Sequence, residues 1–167
     1  RDLVKIVKDL EDQSLLFYIK EKIYSLNKLG NQICKKRFEK RKLFFQNLIN
    51  ETHKMKKYKE ELEYYKKLEF IIMKAISKSK HYKNQNNVLK YKNFLKKVKN
   101  EAILVQYFND FLEFENKYNN IIQLANQEKY SLVFKKIKTF FKEFENFKNS
   151  IKNFMKNKQL SQNLETI

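Results

Sequence analysis

The side chains able to perform nucleophilic or metal chemistry are few in this sequence and lie far apart. The 167 residues include one cysteine, Cys34, and two histidines, His53 and His81. A structural zinc site needs four ligands, usually supplied as closely spaced pairs, and no such pair is present. Cys34 precedes the cations of residues 35–37, which resemble the surroundings of activated thiols, but no histidine or acid partner accompanies it. We therefore predict no metal site, no cofactor, no catalytic residue and no enzymatic activity.

Sites that depend on glycine are excluded more strongly. Gly30 is the only glycine and proline is absent, whereas phosphate-cradling loops and nucleophile elbows require several glycines.

The carboxylates of Glu60, Glu61 and Glu63 lie among lysines, and we interpret them as a solvated helix face rather than as acid–base catalysts. The tripeptide at residues 50–52 matches the N-glycosylation pattern, which we interpret as coincidence because it falls in a predicted helix.

Positive charge is concentrated in the middle of the chain. Lysine and arginine number 37 against 19 acidic residues, a formal net charge of +18. Residues 31–100 carry +15 of this charge, while residues 1–30 carry +1 and residues 101–167 carry +2. An AT-rich genome would enrich lysine evenly, so codon bias does not explain the concentration. The candidate polyanion-binding residues are Lys35, Lys36, Arg37, Lys40, Arg41, Lys42, Lys78, Lys80, Lys83, Lys90, Lys92, Lys96, Lys97 and Lys99.

Several partners fit these cations. Residues 78–100 contain eight lysines and no acidic residue, at and beside a predicted hairpin turn. Clustered cations attract nucleic-acid backbones through counterion release, and they attract anionic membranes and acidic proteins as well. Arginine, which provides bidentate phosphate and guanine contacts, occurs only three times. RNA or DNA backbone binding, anionic membrane binding and a merely solvated lysine face therefore all stay open.

Hydrophobic residues recur at helical spacing through almost the whole chain. A first helix is predicted to end at Gly30, because glycine is favoured just past a helix C-terminus. The second predicted helix, residues 32–79, would be about 70 Å long at 1.5 Å per residue. A polar stretch at residues 77–87 predicts the turn of a helical hairpin. The predicted helices cover residues 2–29, 32–79, 88–125 and 130–158, with a short connection at 126–129 and a frayed tail at 159–167.

The last predicted helix has the most regular pattern. Eight apolar residues follow one another at alternating gaps of three and four, which is typical of a heptad seam. Phe134, Phe141 and Met155 widen this seam, so the helix is expected to pack in a bundle or against another chain. The candidate packing or partner face is Tyr130, Val133, Ile137, Phe140, Phe144, Phe147, Ile151 and Phe154.

These patterns predict an all-α fold in which a long antiparallel helical hairpin, a coiled-coil-like arm, joins a small helical bundle at its base. We expect the pairs to be residues 32–79 with 88–125, and 88–125 with 130–158. In spacing alone, residues 116–147 resemble the helix–turn–helix units of helical-repeat and vesicle-tethering proteins. The expected divisions are an N-terminal helix (1–30), a basic arm (31–100), an aromatic-rich helical pair (101–158) and a tail (159–167).

The expected function is that of a non-enzymatic structural or adaptor protein. Since the sequence begins with Arg1 rather than methionine, we expect it to be part of a longer protein. The long heptads and the broad face of Phe144, Phe147 and Phe154 lead us to expect a subunit of a larger complex. Its expected partners are other protein subunits through helix packing, with homo-oligomers, nucleic acid and anionic membranes as alternatives. No signal peptide or membrane span is visible, so an intracellular, cytoplasmic location is expected.

Overall fold

Four helices make up the described chain. The computed structural model describes the backbone of residues 2–166 and the side chains of residues 2–158. The fold is all-α, as hydrophobic periodicity predicted, and no strand occurs over the described backbone. The helices are α1 (Asp2–Lys54), α2 (Tyr58–His81), α3 (Gln85–Asn126) and α4 (Tyr130–Thr166).

Three residues connect each successive pair of helices, and the three connections share one backbone geometry. Their middle residues, Lys56, Lys83 and Glu128, have φ angles of 57°, 56° and 62°. In the first connection the amide of Lys57 donates to the carbonyl of Thr52, and the amide of Lys56 donates to a carbonyl three residues back. The same two bonds recur in the other connections. This is the Schellman motif, with lysine or glutamate in the left-handed position that glycine usually occupies.

Gly30 lies inside α1, so the predicted helix end at this residue is wrong. Its φ is not positive, which means that the turn-forming freedom of glycine is not used. A Cβ atom at position 30 would lie 2.5 Å from a ring carbon of Tyr82 in the α2–α3 connection. Glycine therefore lets the Tyr82 ring approach the α1 backbone. An interior glycine costs a helix only about 1 kcal/mol, so the helix continues through it.

The predicted single helix over residues 32–79 is also wrong. α1 ends at Lys54, and residues 55–57 reverse the chain into α2. This turn contains no glycine, proline or asparagine, the residues that mark most turns in a sequence. The predicted turn at residues 77–87 is present but shorter, at residues 82–84. The single helix over residues 32–79 that the predicted arm required is thus absent, and the arm is not confirmed.

The described residues divide within α3 into two compact units, one ending at Ala102 and one beginning at Ile103. In the first unit, α1, α2 and the start of α3 converge on one core. The ring of Phe38 in α1 lies 4.6 Å from that of Tyr91 in α3. Side chains of this kind contribute roughly 1.5–3 kcal/mol each when fully buried. The buried apolar residues of this unit are Phe38, Ile49, Tyr65, Leu68, Ile71, Ile72, Ala75, Val88, Tyr91 and Val98.

The second unit is a pair of helices, residues 103–126 of α3 with α4. The ring centroids of Tyr107 and Phe154 lie 5.5 Å apart, and those of Phe114 and Phe147 lie 5.0 Å apart. Because a later residue of α3 meets an earlier residue of α4, the pair is antiparallel. The predicted pairing of residues 88–125 with 130–158 is confirmed over this part of α3.

Two expected boundaries fall inside helices. The backbone of α4 continues to Thr166, through the boundary expected between residues 158 and 159, and Ile167 lies outside the described residues. α1 likewise continues through the boundary expected between residues 30 and 31. Among the described helices, none has a stretch long and apolar enough to cross a membrane.

Candidate polyanion-binding cleft and exposed helix faces

A polar cleft of about 640 Å³ lies in the first unit, between α1 and the α2–α3 connection. The α1 wall brings Lys28 and Lys35 to the cleft, and the connection brings Lys83. No acidic side chain is among its described lining residues. The remaining lining is mostly amide and phenol: Tyr24, Asn27, Asn31, Gln32, Tyr82, Asn84, Gln85, Asn86 and Asn87.

Contacts between α1 and the α2–α3 connection fix the cleft. The Asn31 amide donates to the backbone carbonyl of Tyr82 at 3.2 Å, and the Tyr82 ring packs against Gly30. The left-handed backbone of Lys83 then turns the chain into α3. This side of α1 is therefore held beside the beginning of α3 by a hydrogen bond and a close ring contact.

The beginning of α3 adds positive potential to the cleft. Asn84 is the residue before the helix, and its side-chain oxygen accepts a hydrogen bond from the amide of Asn87 at 3.1 Å, as an N-cap residue does. The free amides and the dipole of a helix N-terminus favour anions. Together with the three lysines, they make the cleft suited to a phosphate or carboxylate group.

The predicted basic residues all belong to the first unit, but the cleft gathers only two of them. Lys35 and Lys83 line it, and so does Lys28, which sequence reasoning missed because it lies outside the basic middle region. The other predicted cations are exposed along the three helices except Lys42, which is half-buried. The Lys42 amine lies 5.0 Å from the centre of the Phe94 ring and 3.6 Å from a carboxylate oxygen of Glu39, so its charge is partly engaged within the fold.

The predicted packing face of α4 lies along α3 of the same chain. Val133 is buried, Tyr130 is 57% exposed, and the other six residues of the face are half-buried. The rings of Phe140 and Phe144 are nearly parallel, 5.8 Å apart, and both contact Phe114 of α3. Intramolecular packing therefore takes up much of this seam.

The N-terminal segment, defined as residues 2–29 of α1, is the most exposed apolar region of the described chain. All its residues except Asn27 are exposed. Fourteen of them are large apolar side chains, from 42% exposed at Ile19 to 77% at Leu3. Soluble proteins rarely expose large apolar surface of this kind unless it meets a partner.

A buried carboxylate pairs with a histidine beside the first turn. Both carboxylate oxygens of Glu61 lie within 3.1 Å of His53 Nδ1, and the Glu61 side chain is only 1% exposed. Burial raises the pKa of Glu61, an effect that the hydrogen bond and charge of His53 only partly oppose. Burial, with the nearby Glu101 and Glu61 carboxylates, raises the pKa of Tyr65 to about 12. His53 lies in α1, Glu61 and Tyr65 lie in α2, and Glu101 lies in α3. We therefore interpret these contacts as holding the three helices together.

The described residues contain no cluster of three or more histidine, cysteine, aspartate or glutamate side chains that could hold a metal ion. Cys34 is half-buried in α1.

The fold and these surfaces define a protein of the all-α, helical-bundle class. Comparisons with family models, with curated proteins and with solved structures found no match to this chain.

Proposed function

We propose that this chain is a non-enzymatic structural or adaptor protein that binds other protein subunits by helix packing. The observation that carries the proposal is the exposure of fourteen large apolar side chains on the N-terminal segment. An isolated helix of this kind gains little stability from hydrogen bonding alone and depends on packing of its apolar side chains. A partner that covers the segment would supply that packing.

Residues of the segment are spaced as a packing helix requires. Leu16, Ile19, Ile23 and Leu26 follow at gaps of three, four and three, which places them on one stripe. A second stripe, formed by Leu3, Val7 and Leu10, is offset by the six-residue gap between Leu10 and Leu16. At 100° per residue, that gap turns the second stripe toward another side of the helix. The segment can therefore contact more than one helix.

Affinity purification from the source cell tests the proposal. The wild-type chain is compared with a variant in which Leu3, Leu10, Leu16 and Ile23 become glutamine, and co-purifying proteins are identified by mass spectrometry. A matched control changes Lys5, Lys8, Lys20 and Lys22 to glutamine, four exposed residues of the same segment. Proteins that bind the wild type and the control but not the apolar variant support the function. Identical recovery with all three would reject it.

The second candidate function is binding of a nucleic-acid backbone through the first unit. It is favoured by the cleft, where Lys28, Lys35 and Lys83 meet the beginning of α3 without an acidic neighbour in the lining. Binding that rests on phosphate contacts weakens steeply as salt concentration rises. Measuring binding of RNA and DNA at several salt concentrations tests the idea.

The test of the second candidate uses two sets of substitutions. Changing Lys28, Lys35 and Lys83 to glutamine tests the cleft, and changing Lys78, Lys80, Lys83, Lys90 and Lys92 to glutamate tests the wider basic surface. Lys142, Lys148 and Lys152, which are exposed on α4, become glutamine in the control. If the first two variants bind like the control, the candidate is wrong. Co-sedimentation with vesicles that require anionic lipid would instead favour a membrane surface.

A further inference from the structure

The two sides of the helical pair in the second unit differ in polarity. Tyr107 and Phe114 of α3, together with Phe140 and Phe147 of α4, form the contact between the helices. In an antiparallel pair, residues with the same offset from the contact positions lie on the same side. This rule assigns the flanking residues of α3 and α4 to two sides of the pair.

One side carries six exposed apolar residues, which we name the hairpin face, and the exposed charged residues Glu115 and Lys148 share the same offset. The buried Ile121 and Val133, and Phe154 beside Tyr107, extend the contact between the helices. Ile122 on α3 and Phe134, Phe141 and Met155 on α4 each lie one residue after one of these contact positions or after Phe140. Phe111 and Tyr118 lie four residues after Tyr107 and Phe114, which adds only about 40° of rotation to a full turn. The exposure of these six side chains ranges from 45% at Ile122 to 71% at Phe134.

The opposite side is mainly polar. There the Lys117 amine lies 2.9 Å from a Glu143 carboxylate oxygen, beside Lys136 and Thr139 in a groove of about 430 Å³. Leu132 is the most exposed apolar residue of this groove, at 41%. The pair of helices is thus an amphipathic plate with an uncovered apolar surface, and one more helix would complete a three-helix bundle.

We propose that the hairpin face binds the N-terminal segment of a second copy of this chain. The inference rests on the proposed function, because it names a partner for the same segment. Both surfaces are exposed in the single chain, so two copies can cover each other reciprocally in a symmetric dimer. The docking stripe is Leu16, Ile19, Ile23 and Leu26.

The lengths of the two surfaces agree. Residues 9–26 of the segment extend about 26 Å, and residues 134–155 of α4 extend about 32 Å. Burying a large apolar side chain removes roughly 60–120 Å² from water, at about 25 cal/mol per Å². Six face residues and four stripe residues, each about half exposed, therefore offer roughly 300–600 Å² in one contact. Two such contacts in a reciprocal dimer bury roughly 600–1,200 Å², which is the size of weak, transient complexes.

Charge sets the orientation. Asp9, Glu11 and Asp12 form an acidic cluster just before the docking stripe, whereas residues 148–158 of α4 contain four lysines and no acidic residue. Opposite charges at the rim of an interface fix its register. Placing the acidic cluster beside residues 148–158 brings Leu26 toward Phe134, so the segment lies antiparallel to α4.

Complementation between two variants tests the proposal. One variant carries Phe134→Gln and Phe141→Gln, and the other carries Ile19→Gln and Ile23→Gln. Each variant alone has both contacts of the dimer damaged. Mixing them creates a heterodimer with one doubly damaged contact and one wild-type contact. Sedimentation equilibrium should give a wild-type dimer, at least about tenfold weaker self-association for each variant alone, and tighter association in the mixture. The matched control is Leu132→Gln on the polar side, which should associate like the wild type.

Other outcomes overturn the inference. The second copy is rejected as the occupant if the wild-type chain stays monomeric even at a concentration 100-fold above the lowest one measured. It is also rejected if the mixture of the two variants associates no more tightly than either variant alone. If the Ile19/Ile23 variant dimerises like the wild type, the contact joins two hairpin faces instead. Circular dichroism confirms that each variant is folded. These results do not decide the adaptor function, because sedimentation uses only the purified chain. Co-purification from cells tests that function separately.

Discussion

His53 Nδ1 lies 3.0 and 3.1 Å from the two carboxylate oxygens of Glu61, across the turn that joins α1 to α2. The histidine is half exposed and the glutamate almost fully buried. The pair therefore couples the last turn of one helix to the first turn of the next. It lies beside a turn that the sequence pattern did not indicate, and its carboxylate has a raised pKa.

The first prediction concerns pH. Because burial raises the folded-state pKa of Glu61 above 4.5, the folded protein binds this proton more tightly than the unfolded protein does. The resulting stabilisation is complete below pH 4.5 and is lost as pH rises through the folded-state pKa. Glu61→Gln has no such loss, so its stability relative to the wild type should increase from pH 4.5 to pH 7. Urea denaturation over this range measures the difference, and Glu60→Gln, at an exposed neighbour, is the control. A difference that falls with pH would contradict the assignment.

The second prediction concerns Gly30. Alanine favours a helix by about 1 kcal/mol over glycine, but a Cβ here would lie 2.5 Å from the Tyr82 ring. Overpacking of this kind costs roughly 1–3 kcal/mol, so we expect Gly30→Ala to lower the free energy of unfolding by about 1 kcal/mol. In a Tyr82→Ala background the same change should become stabilising. Thermal or urea denaturation of the four proteins in this double-mutant cycle measures the coupling, and additive effects would argue against the contact.

The third prediction concerns the left-handed residues of the turns. A residue with a Cβ in this conformation costs roughly 1–2 kcal/mol, while glycine loses about 0.5–1 kcal/mol of chain entropy. Lys56→Gly, Lys83→Gly and Glu128→Gly should each stabilise the fold by about 0.5 kcal/mol. Lys57→Gly serves as the control, since Lys57 has a φ of −88° and should gain nothing. A gain at Lys57 equal to that at Lys56 would refute the turn assignment.

The fourth prediction concerns the aromatic contact between α3 and α4. Phe114 meets Phe140, Phe144 and Phe147 at centroid distances of 5.0–5.9 Å. Phe114→Ala should destabilise the second unit by about 2 kcal/mol, less than the roughly 3–5 kcal/mol of a fully buried phenylalanine. Phe111→Ala, three residues away and 47% exposed, should change stability little in dilute solution. Hydrogen exchange of the amides of α3 and α4 reports the local effect, and equal protection in both variants would count against the contact.

Part of the candidate cleft could be predicted from the sequence. The concentration of lysines at residues 78–100 indicated a basic surface, and Lys35 and Lys83 do line one cleft. The role of Lys28 could not be predicted, because it depends on Gly30 and Asn31 holding α1 against the α2–α3 connection. Such long-range contacts leave no periodic signal in the sequence.

The connections show the same limit. The polar stretch around residues 82–84 was predicted as a turn, whereas residues 55–57 were assigned to a helix interior. Both turns use a lysine in the left-handed conformation, which has an intrinsic cost and is therefore not expected from composition. Packing of α1 against α2 over Phe45 and Tyr64, whose rings lie 6.5 Å apart, accompanies the reversal of the chain.

The sequence by itself determined that the chain is helical and that α4 has a packing stripe, because helix formation and apolar periodicity are local properties. It also placed the positive charge in the middle of the chain. The tertiary structure decided where the chain turns, that Gly30 makes room for a ring, and that the seam of α4 packs on α3 while residues 2–29 are left exposed. These outcomes depend on contacts between distant residues, whose energies no local pattern contains.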